Sequence, residues 1–202
     1  MKTIANSYRS LLVIVILIST PLIAFGQQFQ YATPQAEKLP SFYFGAGLGV
    51  NDYGIGLKME VPVYERITVD GNIGLGGWGL KLGGNINFYP DNFTRGQELS
   101  LGFSTASGMN GLETDLEVEP NDETQKVTMD LYRVNTINAI YTINLKVGRT
   151  GKIGFSGGYA ISLTKEAYQV TSGVLLNDMS KQVMNIMQPG GLILGIKFVI
   201  GL

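Results

Sequence analysis

Five ionisable residues share one register of the alternating segments: Lys58, Glu60, Asp70, Lys81 and Lys197. Lys58 and Glu60 are two apart, which puts both on one face of a strand. Glu60 and Asp70 each lie a few residues from the turn at 64–66, so neighbouring strands would bring the two carboxylates to similar depth. Paired carboxylates can do acid–base work, and lysines beside them could relay protons or ions. The same residues also fit a simpler role, a network of ion pairs filling an interior, because charges taken out of water need partners. The chain contains no histidine and no cysteine. That removes the commonest general base, the commonest metal ligand, thiolate sites, disulfides and lipid anchoring through cysteine. We therefore assign no catalytic residue, no metal ligand and no cofactor, and read the five charges as a lumen network.

Two further groups have the residue types of a site. Glycines cluster in the same register near the ends of the first four strands: Gly47, Gly49, Gly54, Gly56, Gly74, Gly76 and Gly79. They fit tight curvature, or a pocket at one mouth left roomy by missing side chains. The acidic run Glu113, Asp115, Glu117, Glu119, Asp122 and Glu123 offers oxygen ligands of the kind calcium takes. Its alternate spacing fits a solvated strand hairpin better than a calcium loop.

The elements that must position these residues are strands. From Phe42 to Tyr89 apolar residues alternate with polar residues or glycine. One register holds Phe44, Leu48, Ile55, Leu57, Val69, Ile73, Leu80 and Leu82. The other holds glycine, lysine, glutamate, aspartate and asparagine. Period two over several runs is the pattern of strands with one apolar face. Here the apolar face is continuous and the opposite face mixes glycine with charge, which suits apolar residues toward lipid and polar residues toward a narrow lumen. The alternation predicts eight strands, near 42–50, 53–63, 67–76, 78–89, from Leu99 onward, 127–146, 153–163 and 192–202. The fifth pattern runs on through 112–118. Arg133 and Asn135 fall in the apolar register of the sixth and are expected beyond the lipid, since mid-membrane charge costs roughly 2–4 kcal/mol. The two long connections, near 109–126 and 164–189, fall on the same side. In the second, Asn177 is placed to cap a short helix with Met179, Val183, Ile186 and Met187 along one side, and Met179, Val183 and Met187 are expected as a lid over the mouth. Tyr53 and Trp78 are expected at one rim, and Phe42, Phe44, Tyr64, Phe88 and Phe198 at the other.

The N-terminus reads as an export segment at 1–26, with basic Lys2 and Arg9, a short apolar run and small residues at Ala24 and Gly26. A leader at 27–40 precedes the barrel at 41–202. Removing Lys2 and Arg9 with that segment leaves 13 basic against 16 acidic residues, a net charge of −3. No nucleic-acid partner is indicated.

With these patterns, and with the alternating closing strand Gly191-Leu192-Ile193-Leu194-Gly195-Ile196-Lys197-Phe198-Val199-Ile200-Gly201-Leu202, the chain resembles the small eight-stranded outer-membrane barrels. These are the OmpA/OmpX-like barrel domains of Gram-negative bacteria. Among them it is most similar to the PorT-like, outer membrane protein beta-barrel group. The last residue departs from the group's usual aromatic, being Leu202. The resemblance implies an all-β, eight-stranded antiparallel up-and-down transmembrane barrel with short periplasmic turns and two long outer loops. It implies residence in outer-membrane lipid and recognition of the C-terminal strand by the barrel-assembly machinery. A non-catalytic structural or surface-interaction role, with an extracellular or envelope protein partner, is the expected function. A narrow pore or small-molecule transport barrel is the alternative. A protein-secretion component and a soluble lipocalin-like carrier rank behind.

Overall fold

The structure is a computed structural model that describes residues 40–120 and 123–202. The expected export segment and all but the last residue of the leader lie outside the described residues. So do Asn121 and Asp122.

Eight of the eleven strands among the described residues close into an antiparallel barrel: β1 (Tyr43–Val50), β2 (Gly54–Tyr64), β3 (Ile67–Gly76), β4 (Gly79–Phe88), β5 (Gly96–Ala106), β8 (Val134–Val147), β9 (Gly151–Ser162) and β11 (Gly191–Gly201). The order around the wall follows the chain, and residues 194–201 of β11 pair with the whole of β1 to close it. The outward register is apolar and the inward one polar. Leu57, Leu82 and Phe103 are 48, 45 and 49% exposed on the outer wall, whereas Lys58 and Lys81 are 5 and 6% exposed inside. Phe44, Tyr64, Phe88 and Phe198 also stand on the outer wall.

The remaining strands correct the expected layout at one end. β5 does not run on through 112–118. The chain swings away at Ser107-Gly108, where Gly108 takes a positive φ of 74° that other residues adopt poorly. The next strand, β6 (Met109–Val118), pairs with β7 (Glu123–Leu131), and β7 with β10 (Tyr168–Val170), forming a separate three-stranded sheet. The predicted strand 127–146 is thus two strands, broken at Tyr132-Arg133. Before the break Val127, Met129 and Leu131 point into this second sheet's core; after it Ile137 and Tyr141 point out of the barrel. Arg133 is exposed at the break, off the barrel wall.

The helix expected in the second long connection is present as α1 (Asp178–Met187), capped by Asn177, whose side-chain oxygen accepts the Ser180 amide at 2.9 Å. Its packed side is not the expected one. Ser180 and Met184 are buried, while Met179, Val183 and Met187 are exposed. Backbone and side-chain bonds explain the rotation: Ser180 Oγ accepts the Glu117 amide at 3.0 Å, and Asn177 Nδ2 donates to Glu117 at 2.8 Å. Those polar contacts with β6 hold the helix with Ser180 inward.

The second sheet and α1 form a cap over part of the long-connection end. Its core holds Val118, Val127, Met129, Leu131, Ala167, Leu176 and Met184, and continues into Trp78, Ala106 and Val134 at the barrel rim. Trp78 therefore does not stand in an outer girdle. It is buried between barrel and cap, its indole N–H donating to the Tyr132 carbonyl at 3.1 Å. Replacing it should detach the cap before it harms the barrel. Trp78→Ala is expected to remove roughly 3–5 kcal/mol of packing, making 107–133 the first site of cleavage in limited proteolysis while the barrel strands stay protected.

Candidate functional site

The charged lumen is built from every strand of the barrel. Glu60 and Asp70 face each other across the β2–β3 ladder, as neighbours in register. Lys58, two residues along β2, bonds Asp70 at 2.8 Å and lies 3.9 Å from a third carboxylate, Glu98 of β5. Glu98 accepts two bonds from Lys197 of β11, at 2.6 and 2.8 Å, and one from Asn144 of β8 at 2.9 Å. Glu60 accepts two bonds from Lys152 of β9, at 3.2 and 3.1 Å. Three acids thus meet three lysines.

Neutral donors complete the set. Asn85 and Asn87 of β4 donate to the two oxygens of Asp70, at 2.8 and 2.7 Å. Thr68 of β3 donates to Glu60 at 2.8 Å and accepts from Asn87 at 3.0 Å. The Tyr89 hydroxyl donates to Glu60 at 2.5 Å and accepts from Lys152 at 2.7 Å. The Lys152 ammonium also sits over two rings, 4.8 Å from the centre of Tyr43 on β1 and 4.5 Å from that of Tyr89.

All five lysines and acids singled out from sequence point into the lumen, and four of them join these pairs. Lys81 stands apart, nearer the cap; the acid whose charge acts on it is Asp52. Sequence reasoning missed Glu98 and Lys152. Each lies one residue before the expected start of its strand, in the inward register, so extending the alternation by one step would have found both.

Glycine makes room for this network. A β-carbon on Gly102 would overlap the Asn85 carbonyl, and one on Gly154 would meet Lys197 and Asn144. Inside the mouth the chain occupies the space beside most of these glycines, while Gly49, Gly54 and Gly76 also line a hollow on the outer wall. The β1–β2 turn folds inward and lays the Tyr53 hydroxyl over Gly47 and the Asp52 side chain beside Gly49. Tyr53 is therefore a buried plug, not a rim aromatic. Gly54, Gly56 and Gly74 are crowded by the backbone of neighbouring strands. Gly79 abuts Ser107 and Gly108 in the adjoining turn, and Gly76 has open space beside it. Beneath the plug a cavity of about 10 Å³ remains between Asp52, Lys58, Glu98 and Lys197, no more than one water needs. The opposite mouth is closed by Tyr43, Tyr89, Phe93 and Val199, with Phe93 edge-on to Tyr89 at 5.0 Å. A larger hollow, about 640 Å³, lies on the outside wall, where Leu48, Val50, Ile55, Leu75, Leu194 and Ile196 surround bare glycine backbone.

Three carboxylates of the acidic run are paired. Glu119 meets Lys181 of α1 at 3.3 Å and Glu113 meets Lys126 at 3.7 Å, besides the Glu117 contacts already described. No cluster of three acidic, histidine or cysteine ligands occurs among the described residues.

No protein-family model matches the chain, and no curated protein matches it.

Removing one member of a buried pair strands its partner. Lys152→Met should cost about 3–5 kcal/mol and lower the urea midpoint followed by circular dichroism in detergent. Adding Glu60→Gln to it should recover part of that loss, because no unpaired charge then remains; a double-variant loss equal to the sum of the losses of Lys152→Met and Glu60→Gln alone would show that the pair is not coupled.

Proposed function

We propose that this chain is a sealed, non-catalytic outer-membrane barrel that presents its cap for contact with an extracellular or envelope partner. The observation that carries the reading is the inverted polarity of the wall. A water-soluble barrel keeps apolar residues inside, and one exposing a continuous apolar belt would be an aggregation hazard. Here the belt runs around the outer face and the ionic residues lie within, as lipid on the outside requires. The resemblance to the OmpA/OmpX-like and PorT-like barrels supports the same reading. It implies the assembly machinery as a partner for the closing strand β11 and a cap that faces the cell exterior.

The filled lumen favours this role over a pore. Phe93 and Tyr89 close one mouth, three ion pairs occupy the middle and Tyr53 closes the other. Eight strands leave an interior that side chains fill, and here they do.

Two measurements test the proposal. The purified protein should fractionate with outer membranes and migrate differently on a gel before and after boiling; recovery as a soluble protein with no shift would end the membrane reading. In planar bilayers it should give no conductance steps, and regular steps would favour the transport alternative. Leu101→Arg, on the most exposed part of the β5 wall, is expected to lower stability in bilayers by roughly 2–4 kcal/mol if it sits at mid-membrane, a loss measurable by urea unfolding from vesicles.

A further inference from the structure

Helix α1 carries more apolar surface than the cap covers. At 3.6 residues per turn, Ile186, Met179, Val183, Met187 and Met184 span an arc of about 160°. Only the edge of that arc, Met184 beside Ser180, is buried. Ile186, Met179, Met187 and Val183 are 78, 62, 59 and 39% exposed. The opposite side carries Asp178, Lys181, Gln182 and Asn185, so the uncovered stripe belongs to an amphipathic helix with half its apolar face unused.

The position of the helix indicates what covers that stripe. Three residues, Gln188 to Gly190, lead from α1 into β11. The Asn51 side chain pins that exit to the barrel rim, donating to the carbonyls of Gly190 and Leu192 at 2.7 and 3.0 Å. The next outward residues, Leu192 and Leu194, are 60 and 53% exposed and open the apolar belt on β11. On the adjoining strand Ile161, and Leu163 just beyond its end, continue that belt to the same rim. The uncovered stripe therefore begins a few residues from where the belt ends. On the polar side Lys181 lies between Asp178 and Glu119, at 3.4 and 3.3 Å, so the helix turns its charges away from the uncovered stripe.

We propose that α1 lies on the bilayer surface, with Met179, Val183 and Ile186 in the boundary between headgroups and acyl chains. Through this contact the membrane holds the cap at a set height above the barrel. The inference rests on the outer-membrane reading above and adds a second lipid contact outside the strands.

The absence of cysteine makes single nitroxide labels straightforward. Cysteine is introduced at Ile186→Cys, Gln182→Cys and, on the barrel wall, Leu82→Cys, and each protein is reconstituted in vesicles of phosphatidylethanolamine and phosphatidylglycerol. The labels at 186 and 82 should be relaxed more by oxygen than by a water-soluble nickel chelate, with the order reversed at 182. A lipid-like signal at 82 with a water-like one at 186 overturns the helix contact and leaves the membrane reading standing. A water-like signal at 82 overturns both. Spin–spin broadening at 186, or shielding from both relaxants, assigns the stripe to a protein surface and overturns the lipid contact. Val183→Cys supplies the same comparison where the 186 variant does not fold.

Discussion

Three buried carboxylate–ammonium pairs hold this barrel to one arrangement. Glu60 with Lys152, Asp70 with Lys58 and Glu98 with Lys197 draw charges from β2, β3, β5, β9 and β11. Asparagines on β4 and β8 and the Tyr43 ring on β1 complete the circle. A slip of one residue in any strand would move its member of the network to the outer face and bring an apolar residue inside. Buried pairs of this kind add little net stability, since desolvation offsets most of the attraction. Their effect is on specificity: alternatives leave a charge unpaired.

The same network accounts for the glycine content. A narrow tube cannot hold eight full rows of long side chains. Lysine, asparagine and glutamate reach across the lumen where the residues facing them lack a β-carbon, as Gly102 and Gly154 do. Where no long side chain arrives from the wall, the β1–β2 turn supplies one, and Tyr53 fills the space over Gly47. Side chains thereby occupy the lumen from Phe93 to Tyr53, save for the small cavity beneath the plug.

Most of the barrel was legible because alternation in β1 to β4, β9 and β11 is nearly unbroken, and the two long connections fall at one end. The inward direction of Lys58, Glu60, Asp70, Lys81 and Lys197 followed from that register alone. What was not legible lies at the cap. Strands β6 and β7 obey the same period as the barrel strands, so the breaks at Ser107-Gly108 and Tyr132-Arg133 look like continuations. Only Gly108, with its positive φ, marks one of them. The helix was legible from Asn177, but its rotation was not, because two polar bonds from Glu117 to Ser180 and Asn177 outweigh the pull of its larger apolar stripe.

By itself, then, the amino-acid order determined the strand period, the face each residue takes and the residue types available for chemistry, because these depend on neighbours one and two positions away. Tertiary structure alone decided which lysine meets which acid, that the β1–β2 turn lays Tyr53 over Gly47, and that the long connections join into a separate sheet. Those outcomes depend on contacts between residues 60 and 152, 98 and 197, or 129 and 170. No local pattern encodes such pairs; closure of the wall and the need to satisfy every buried charge select them.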